Sequence, residues 1–351
     1  MYIAPAVPNP SFLYGFASVP RRPALVGLAF LSVVVGGFAF ARASEEFWAA
    51  DIHRNLDAAA ALADGSFGTV PDYLYSPLAA ALTVPALAVP ADLVVGGWLV
   101  LKVALLVIGA ALATKGFDRV DRILVGITVI AFLPITYDLE LGNVTVLVLA
   151  AVALIAWTPD RFVTGMPLGL ILATVPKPQL VPVLVWLILF NRRALTGALV
   201  TAGAATLVGL VMLGSAVYTT WVEILRAPAY LNSGEVINLA LWALPTVIAV
   251  PAVIATIAAF LLALRRGYWP GLMAAICVGM LVAPYTLIYA GGLLPAVAAA
   301  VARAAPGATL VLAIVAPLVL VLAFPVWISA VLALSVLVPN AAWPAARLPS
   351  R

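Results

Sequence analysis

Apolar residues run along this chain in long blocks, and polar residues collect in the short gaps between them. The blocks cover approximately 23–43, 91–114, 121–137, 143–157, 163–176, 179–190, 194–217, 241–264, 270–283, 285–303, 307–323 and 325–339. Each predicts a helix, so the chain is expected to be all-α and to thread a bilayer about twelve times. Several blocks are shorter than the about 20 residues a spanning helix needs, so some helices must tilt, break or insert only in part. One further apolar stretch, Pro77–Pro90, is short and interrupted by Pro85. It reads as a re-entrant or interfacial helix.

Composition fixes the class. With 65% hydrophobic residues, 9% charged and a mean hydropathy of +1.18, this is an integral membrane protein, read as one domain over residues 1–351. The net charge of +4 does not imply a nucleic-acid partner, because the bases form short clusters between apolar blocks, where they act as orientation signals. The single cysteine, Cys277, rules out an intrachain disulfide, and the single histidine, His53, rules out a multi-histidine metal site. The first 20 residues lack the basic start and small-residue cleavage site of a signal peptide.

Charge also orients the threading. With Arg21 inside and twelve spans, thirteen of the 18 bases face the cytoplasm, among them Lys115, Arg119, Arg122, Arg161, Arg192, Arg193 and Arg303. A full crossing by Pro77–Pro90 would move the Lys115–Arg122 cluster and Arg161 outside, against the positive-inside rule. The expected home is the inner (plasma) membrane, with both termini cytoplasmic.

The outer face then gathers the polar pieces Ser44–Ser76, Asp138–Asn143, Val175–Gln179 and Tyr218–Ala240, joined by the Pro284–Tyr289 turn. The first of these holds six of the 14 acids: Glu45, Glu46, Asp51, Asp57, Asp64 and Asp72. Within it, Trp48–Ala63 is helical in pattern and ends at Asp64-Gly65. Asp51, Arg54 and Asn55 stand at i, i+3 and i+4 on one face, with Asp57 turned away toward water. Lys102 lies in mid-block, where a charge costs about 3 kcal/mol on insertion scales and needs an acid, a carbonyl or water as partner. Tyr73, Tyr75, Trp221 and Trp242 read as interface anchors.

Taken in order, these pieces resemble the polyprenyl-phosphate-sugar-dependent glycosyltransferases of the GT-C fold, and most of all glycosyltransferase family 87, which includes mannosyl- and arabinofuranosyltransferases. The family's helix of the form D-x-x-x-x-x-x-A-A-x-x-L-x-x-G is matched from Asp51 through Ala58, Ala59 and Leu62 to Gly65. Its aromatic–proline segment is matched by Tyr73-Leu74-Tyr75-Ser76-Pro77-Leu78, with Ser76 in place of the first proline. Its G-Q-x-N-x-L-L motif is similar to Gly142-Asn143-Val144-Thr145-Val146-Leu147, and its K-P to Lys177-Pro178 after Gly165 and Gly169. Asn232 after the long outer loop and a late P-Y-x-x-x-Y, from Pro284-Tyr285 to Tyr289, complete the likeness, with Ala290 where an aspartate often follows.

The resemblance implies a GT-C-like transferase that moves a sugar from a polyprenyl-phosphate donor to a glycolipid or polysaccharide acceptor outside the cell. It makes Asp51 the catalytic carboxylate and Arg54, Lys177, Asn143, Tyr75, Tyr285 and Tyr289 the candidates for donor-phosphate or substrate binding. The residue types suit that chemistry. Inverting transfer needs a carboxylate to take the acceptor's proton, and cationic and hydroxyl groups to hold the departing phosphate. No metal or cofactor is required; Asp51 and Glu140 are the carboxylates on which a divalent cation would sit. A secondary transporter would instead show repeated halves with ionisable residues at the membrane midplane. A lipid or glycolipid flippase of the same ancestry would share the likeness without the chemistry.

Overall fold

The computed structural model describes residues 20–41, 48–70, 73–226, 238–284, 286–305 and 324–343. Every regular element among them is helical. In chain order the α-helices are α1 (Arg21–Ala41), α2 (Ala50–Ala63), α3 (Pro77–Thr83), α4 (Ala91–Ala113), α5 (Arg119–Ile130), α6 (Leu133–Leu141), α7 (Thr145–Trp157) and α8 (Phe162–Thr174). They continue with α9 (Val181–Phe190), α10 (Arg192–Leu213), α11 (Ser215–Arg226), α12 (Thr246–Arg266), α13 (Tyr268–Val282), α14 (Pro295–Ala304) and α15 (Phe324–Leu337). Short 3-10 turns at Phe67–Thr69, Val84–Ala88, Pro178–Leu180 and Ile288–Leu293 join several of them.

Among the described residues four helices (α1, α4, α10 and α12) are long and apolar enough to cross a membrane, and a fifth crossing results if α5 and α6 count as one bent span. Large apolar side chains stand on the outside of all four, including Phe30, Val100, Val211 and Val247. A water-soluble protein would bury such side chains; a lipid-facing surface exposes them. The multi-pass membrane class follows. The remaining apolar blocks form shorter helices, and block 307–323 lies outside the described residues, as do Tyr285, Asn232, Glu45, Glu46 and Asp72.

Block 121–137 is not one straight helix. It breaks between α5 and α6 with a bend of 52°, because Pro134 in the first turn of α6 cannot continue the hydrogen-bond ladder of α5. The consequence matters for the site. The expected outer turn Asp138–Asn143 is instead the buried end of α6, with Asp138 fully buried and Glu140 7% exposed. Likewise block 194–217 ends at Leu213, and α11 begins a separate helix after Gly214.

Close packing without bulky side chains ties α8 to α10. A methyl group on Gly165 would collide with the Ala194 carbonyl oxygen, and one on Gly197 would collide with that of Phe162. Small residues at such crossings let helix backbones meet where lipid offers no hydrophobic driving force. The most enclosed helix is α13, whose residues Trp269–Leu281 are all buried. Its Gly279 abuts the Gln179 carbonyl and so fixes the turn that follows Lys177.

Charged side chains from the start of α1, the turn between α4 and α5 and the end of α14 meet. Arg21 pairs with Asp121, and Arg22 donates to Asp118 at 3.1 Å. Arg303 donates to the Lys115 carbonyl at 3.2 Å and stacks over Phe117, which Arg21 also faces. Asp118 caps α5 by accepting from the Asp121 N–H at 3.0 Å. From this end α4 leads back to Lys102 and Trp98, roughly 20 and 25 Å away along its axis at 1.5 Å per residue.

Candidate active site

The start of α2 rests on the end of α6. The Ala49 N–H donates to the Glu140 carbonyl at 2.7 Å, and Gly142 terminates α6 with φ +72°. A Cβ at Gly142 would meet Ile52 at 2.6 Å, so only glycine both adopts this backbone and lets α2 approach. The Trp98 indole N–H donates to the Gly142 carbonyl at 2.8 Å and holds the turn from the α4 side. This contact delivers Asp51, in the first turn of α2, to Asn143, the residue after the turn.

Asn143 is the hub. Its amide nitrogen donates to Asp51 Oδ2 at 2.6 Å, while its Oδ1 accepts from Lys177 Nζ at 3.1 Å, the Val144 N–H at 2.8 Å and the Thr145 hydroxyl at 3.1 Å. Three donors at the oxygen end settle the orientation of the amide and turn its nitrogen toward the carboxylate. Asp51 Oδ1 has no hydrogen-bond partner among the described residues, and Asp51 is half-buried. Lys177 also reaches Thr145 Oγ1 at 3.5 Å and sits 5.1 Å from the centre of the Tyr289 ring, a cation–π contact. Burial lowers the Lys177 ammonium to about 8, against the opposing pull of the Asp138 and Asp51 carboxylates.

Beneath the hub lies a buried ion pair. Lys102 Nζ stands 2.7 Å from Asp138 Oδ2, with both side chains wholly buried, and it also donates to the Asp138 carbonyl. Asp138 Oδ1 accepts from the Thr145 N–H at 2.9 Å, and its carbonyl accepts from the Asn143 N–H at 3.1 Å. Removing either charge would leave the other uncompensated in the interior, at a cost of about 3–5 kcal/mol. Lys102 thus finds both an acid and a carbonyl.

Tyr73 and Tyr75 approach from the loop before α3. Tyr73 is 1% exposed, stacks edge-on against Phe67 and donates to Asn55 Oδ1 at 2.8 Å, while Asn55 donates to the Asp51 carbonyl at 2.7 Å. It locks the first turn of α2 and is no interface anchor, because its whole ring is enclosed by the loop. Tyr75 packs edge-on against Tyr73, and its buried hydroxyl has no hydrogen-bond partner among the described residues. Burial, with the Asp51 carboxylate nearby, raises the Tyr75 phenol well above its ordinary value, so it remains a neutral donor.

Ser76 gives both its N–H and its hydroxyl to the end of α8, at 2.7 Å to the Thr174 and Ala173 carbonyls. A proline could make neither bond. An open cleft of about 570 Å³, counting the part open to the surroundings, is lined by Tyr75, Asn143, Thr145, Lys177 and Tyr289 together with apolar side chains such as Leu74, Val148 and Leu293.

The structure therefore brings together Asp51, Asn143, Lys177, Tyr75 and Tyr289. It leaves Arg54 exposed on α2, outside this hydrogen-bond network, with no ion pair to Asp51 or Asp57 among the described residues. Tyr285 lies outside the described residues. Thr145, Asp138 and Asn55 complete the network; the sequence places Asn55 on the Asp51 face, Asp138 in a neighbouring polar piece and Thr145 in the Gly142–Leu147 motif, but does not show their partners. Among the described residues no three His, Cys, Asp or Glu side chains converge as a metal site.

A polar, charge-balanced cluster opening into an apolar-walled cleft inside a multi-pass bundle defines a membrane protein with a built internal site. The sequence profile of glycosyltransferase family 87 matches residues 73–305, well over half the chain, and the chain belongs to that family. It is accordingly a membrane glycosyltransferase. The matched stretch carries Tyr75, Asn143, Lys177, Tyr285 and Tyr289; Asp51 precedes it and joins it through Asn143. No curated protein and no solved structure matches the chain.

Proposed function

We propose that the protein moves one sugar, mannose, from a polyprenyl-phosphate donor to a hydroxyl of a glycolipid or polysaccharide acceptor, with inversion at the anomeric carbon. In this reading the chain adopts the GT-C arrangement with about twelve spans, and residues 44–76 form the catalytic loop on the extracytoplasmic face of the inner membrane. Pro77–Pro90 then lies as a re-entrant or interfacial piece. The supporting observation is the line Asp51–Asn143–Lys177, a carboxylate with an open oxygen and a half-buried cation joined through a single amide beside an open cleft.

The acceptor O–H gives its proton to Asp51 Oδ1 while its oxygen attacks the anomeric carbon. The bond from that carbon to the phosphate oxygen breaks from the opposite face, and polyprenyl phosphate leaves with the electron pair. Lys177 meets the charge growing on the phosphate, and the Tyr75 hydroxyl supplies a preorganised donor. A lipid-linked donor suits a cleft with apolar walls, and nucleotide sugars stay in the cytoplasm. The reaction in this form needs no metal.

The test is transfer of radiolabelled mannose from a polyprenyl-phosphate donor in membranes with and without the protein. Protein-dependent labelling of an extractable lipid or polysaccharide is expected. Movement of lipid without any transfer would replace the enzyme reading with a flippase. For topology, a cysteine introduced at Gly65 should label from outside and one at Gly116 should not; equal external labelling of both would overturn the threading.

A further inference from the structure

We propose that Lys102 is a positioning residue for donor binding: by neutralising Asp138 it leaves the charge of Lys177 available to the donor phosphate. The inference rests on the reading of Lys177 as the phosphate-binding cation and adds a residue that touches no substrate.

Four ionisable side chains meet at the site, the acids Asp51 and Asp138 and the bases Lys102 and Lys177. They come from four separate parts of the chain, and the pairing among them is unequal. Asp138 is claimed by Lys102, which contacts both its carboxylate, at 2.7 Å, and its main-chain carbonyl. Among the described residues Lys177 has no carboxylate within ion-pair distance; its contacts are the neutral oxygens of Asn143 and Thr145 and the face of Tyr289. Of the two cations, one is spent on an acid and the other faces the cleft.

The two lysines nevertheless share a neighbourhood. The Thr145 N–H donates to Asp138 Oδ1, at 2.9 Å, and the Thr145 hydroxyl lies 3.5 Å from Lys177 Nζ. If Lys102 loses its charge, the Asp138 carboxylate has one remaining base nearby, and Lys177 is drawn toward it. The ammonium then turns inward from the cleft, and the Asn143 amide that it holds loses one of the three donors fixing its orientation. The expected signature is electrostatic and has a sign. Removing the Lys102 charge should weaken phosphate binding. Removing the Asp138 charge should not. In the Asp138→Asn variant no carboxylate at this position competes for Lys177, and the new amide oxygen still accepts from the Thr145 N–H. A purely structural pair would behave otherwise, with both substitutions loosening the α4–α6 contact and both weakening binding.

The experiment measures binding of decaprenyl phosphate to the purified full chain in detergent, for the wild type, Lys102→Met, Asp138→Asn and the double variant. Wild type should bind. Lys102→Met should bind about tenfold more weakly, the scale of one hydrogen bond to a charged group. Asp138→Asn should bind at least as well as wild type, and the double variant should recover most of the loss. Equal binding by Lys102→Met, or weakened binding by Asp138→Asn in a folded protein, overturns the proposal while leaving Lys177 as the phosphate-binding cation. If Lys102→Met does not fold, the sign of the Asp138→Asn effect decides alone. Failure of wild type to bind the lipid phosphate at all removes the donor-site reading and this inference with it.

Discussion

Two groups of charged side chains join helices that are distant in sequence, and they do so under different solvation. At one end of the bundle, Arg21 and Arg22, with 42% and 63% of their side chains exposed, meet the exposed Asp118 and the buried Asp121. At the site, Lys102 and Asp138 meet with both side chains fully buried, and Lys177 and Asp51 bracket Asn143 just above them. Apart from the buried Asp121, which Arg21 and Arg22 compensate, the first group sits where charge costs little, at helix ends and turns, and works as a latch among α1, α5 and α14. The second sits where each charge is expensive, so a fold that needed only stability would have filled the space with leucine. The contrast marks the contacts on which the proposed chemistry depends.

The widest separation between the two regions should appear on removing a proton acceptor. Asp51→Asn keeps the size and most of the hydrogen bonding to Asn143 but cannot take a proton, and it should cost about 10²–10⁴-fold in transfer rate. Expression and lipid-phosphate binding should stay near wild type. Asp57→Asn, on another face of α2, serves as the control and should transfer normally. Full activity in Asp51→Asn would move the search to Glu140, since Asp138 is already engaged by Lys102 and Thr145.

Lys177 comes next in size. Lys177→Ala should raise the donor KM by roughly ten- to hundredfold, and Lys177→Arg should recover part of it as a substitute charge. Burial lowers the Lys177 ammonium to about 8, so its charge is present below that pH and lost above it. In wild type kcat/KM for the donor, which reports the free enzyme, should therefore fall as the pH rises through about 8. The Lys177→Arg profile should stay flat there. A fall that persists unchanged in the arginine variant would assign the titration to another group.

How much of this is legible in the sequence follows from what sequence patterns can carry. Apolar blocks mark nearly all the described helices, because burial in lipid leaves a long uninterrupted signal. Asp51, Asn143 and Lys177 stand out through the family likeness and because ionisable residues are rare in such a chain. Asp138 reads wrongly as part of an outer turn: Asp138-Leu139-Glu140-Leu141 has the same composition at a helix end as in a loop, and only the bend at Pro134 brings it inside. Lys102 announces by its position that it needs a partner, yet nothing in sequence links α4 to α6. Tyr73 looks like a membrane-surface aromatic because its partner Asn55 lies across a loop, and aromatic residues at interfaces and in small cores share the same local sequence.

The smallest effect should come from the exposed group, at Asp118. Its carboxyl lies below the usual range, first because it accepts the Asp121 N–H as the cap of α5 and then because Arg22 stands beside it. Asparagine caps a helix about as well as aspartate, so Asp118→Asn retains the cap and loses only a charge that water and Arg22 share. Transfer should be unchanged, and thermal unfolding in detergent near neutrality should shift little. The sign of the residual effect is fixed. A carboxyl held low in the folded state contributes above its ordinary range and loses that contribution as the pH falls, so variant and wild type should converge on acidification through about pH 4 and below. Asp118→Ala, which removes the cap as well, should unfold earlier than Asp118→Asn at every pH where the protein stays soluble. If Asp118→Asn instead depressed transfer as far as Lys177→Ala does, the exposed latch and the buried site would be one coupled system, and the distinction between them would fail.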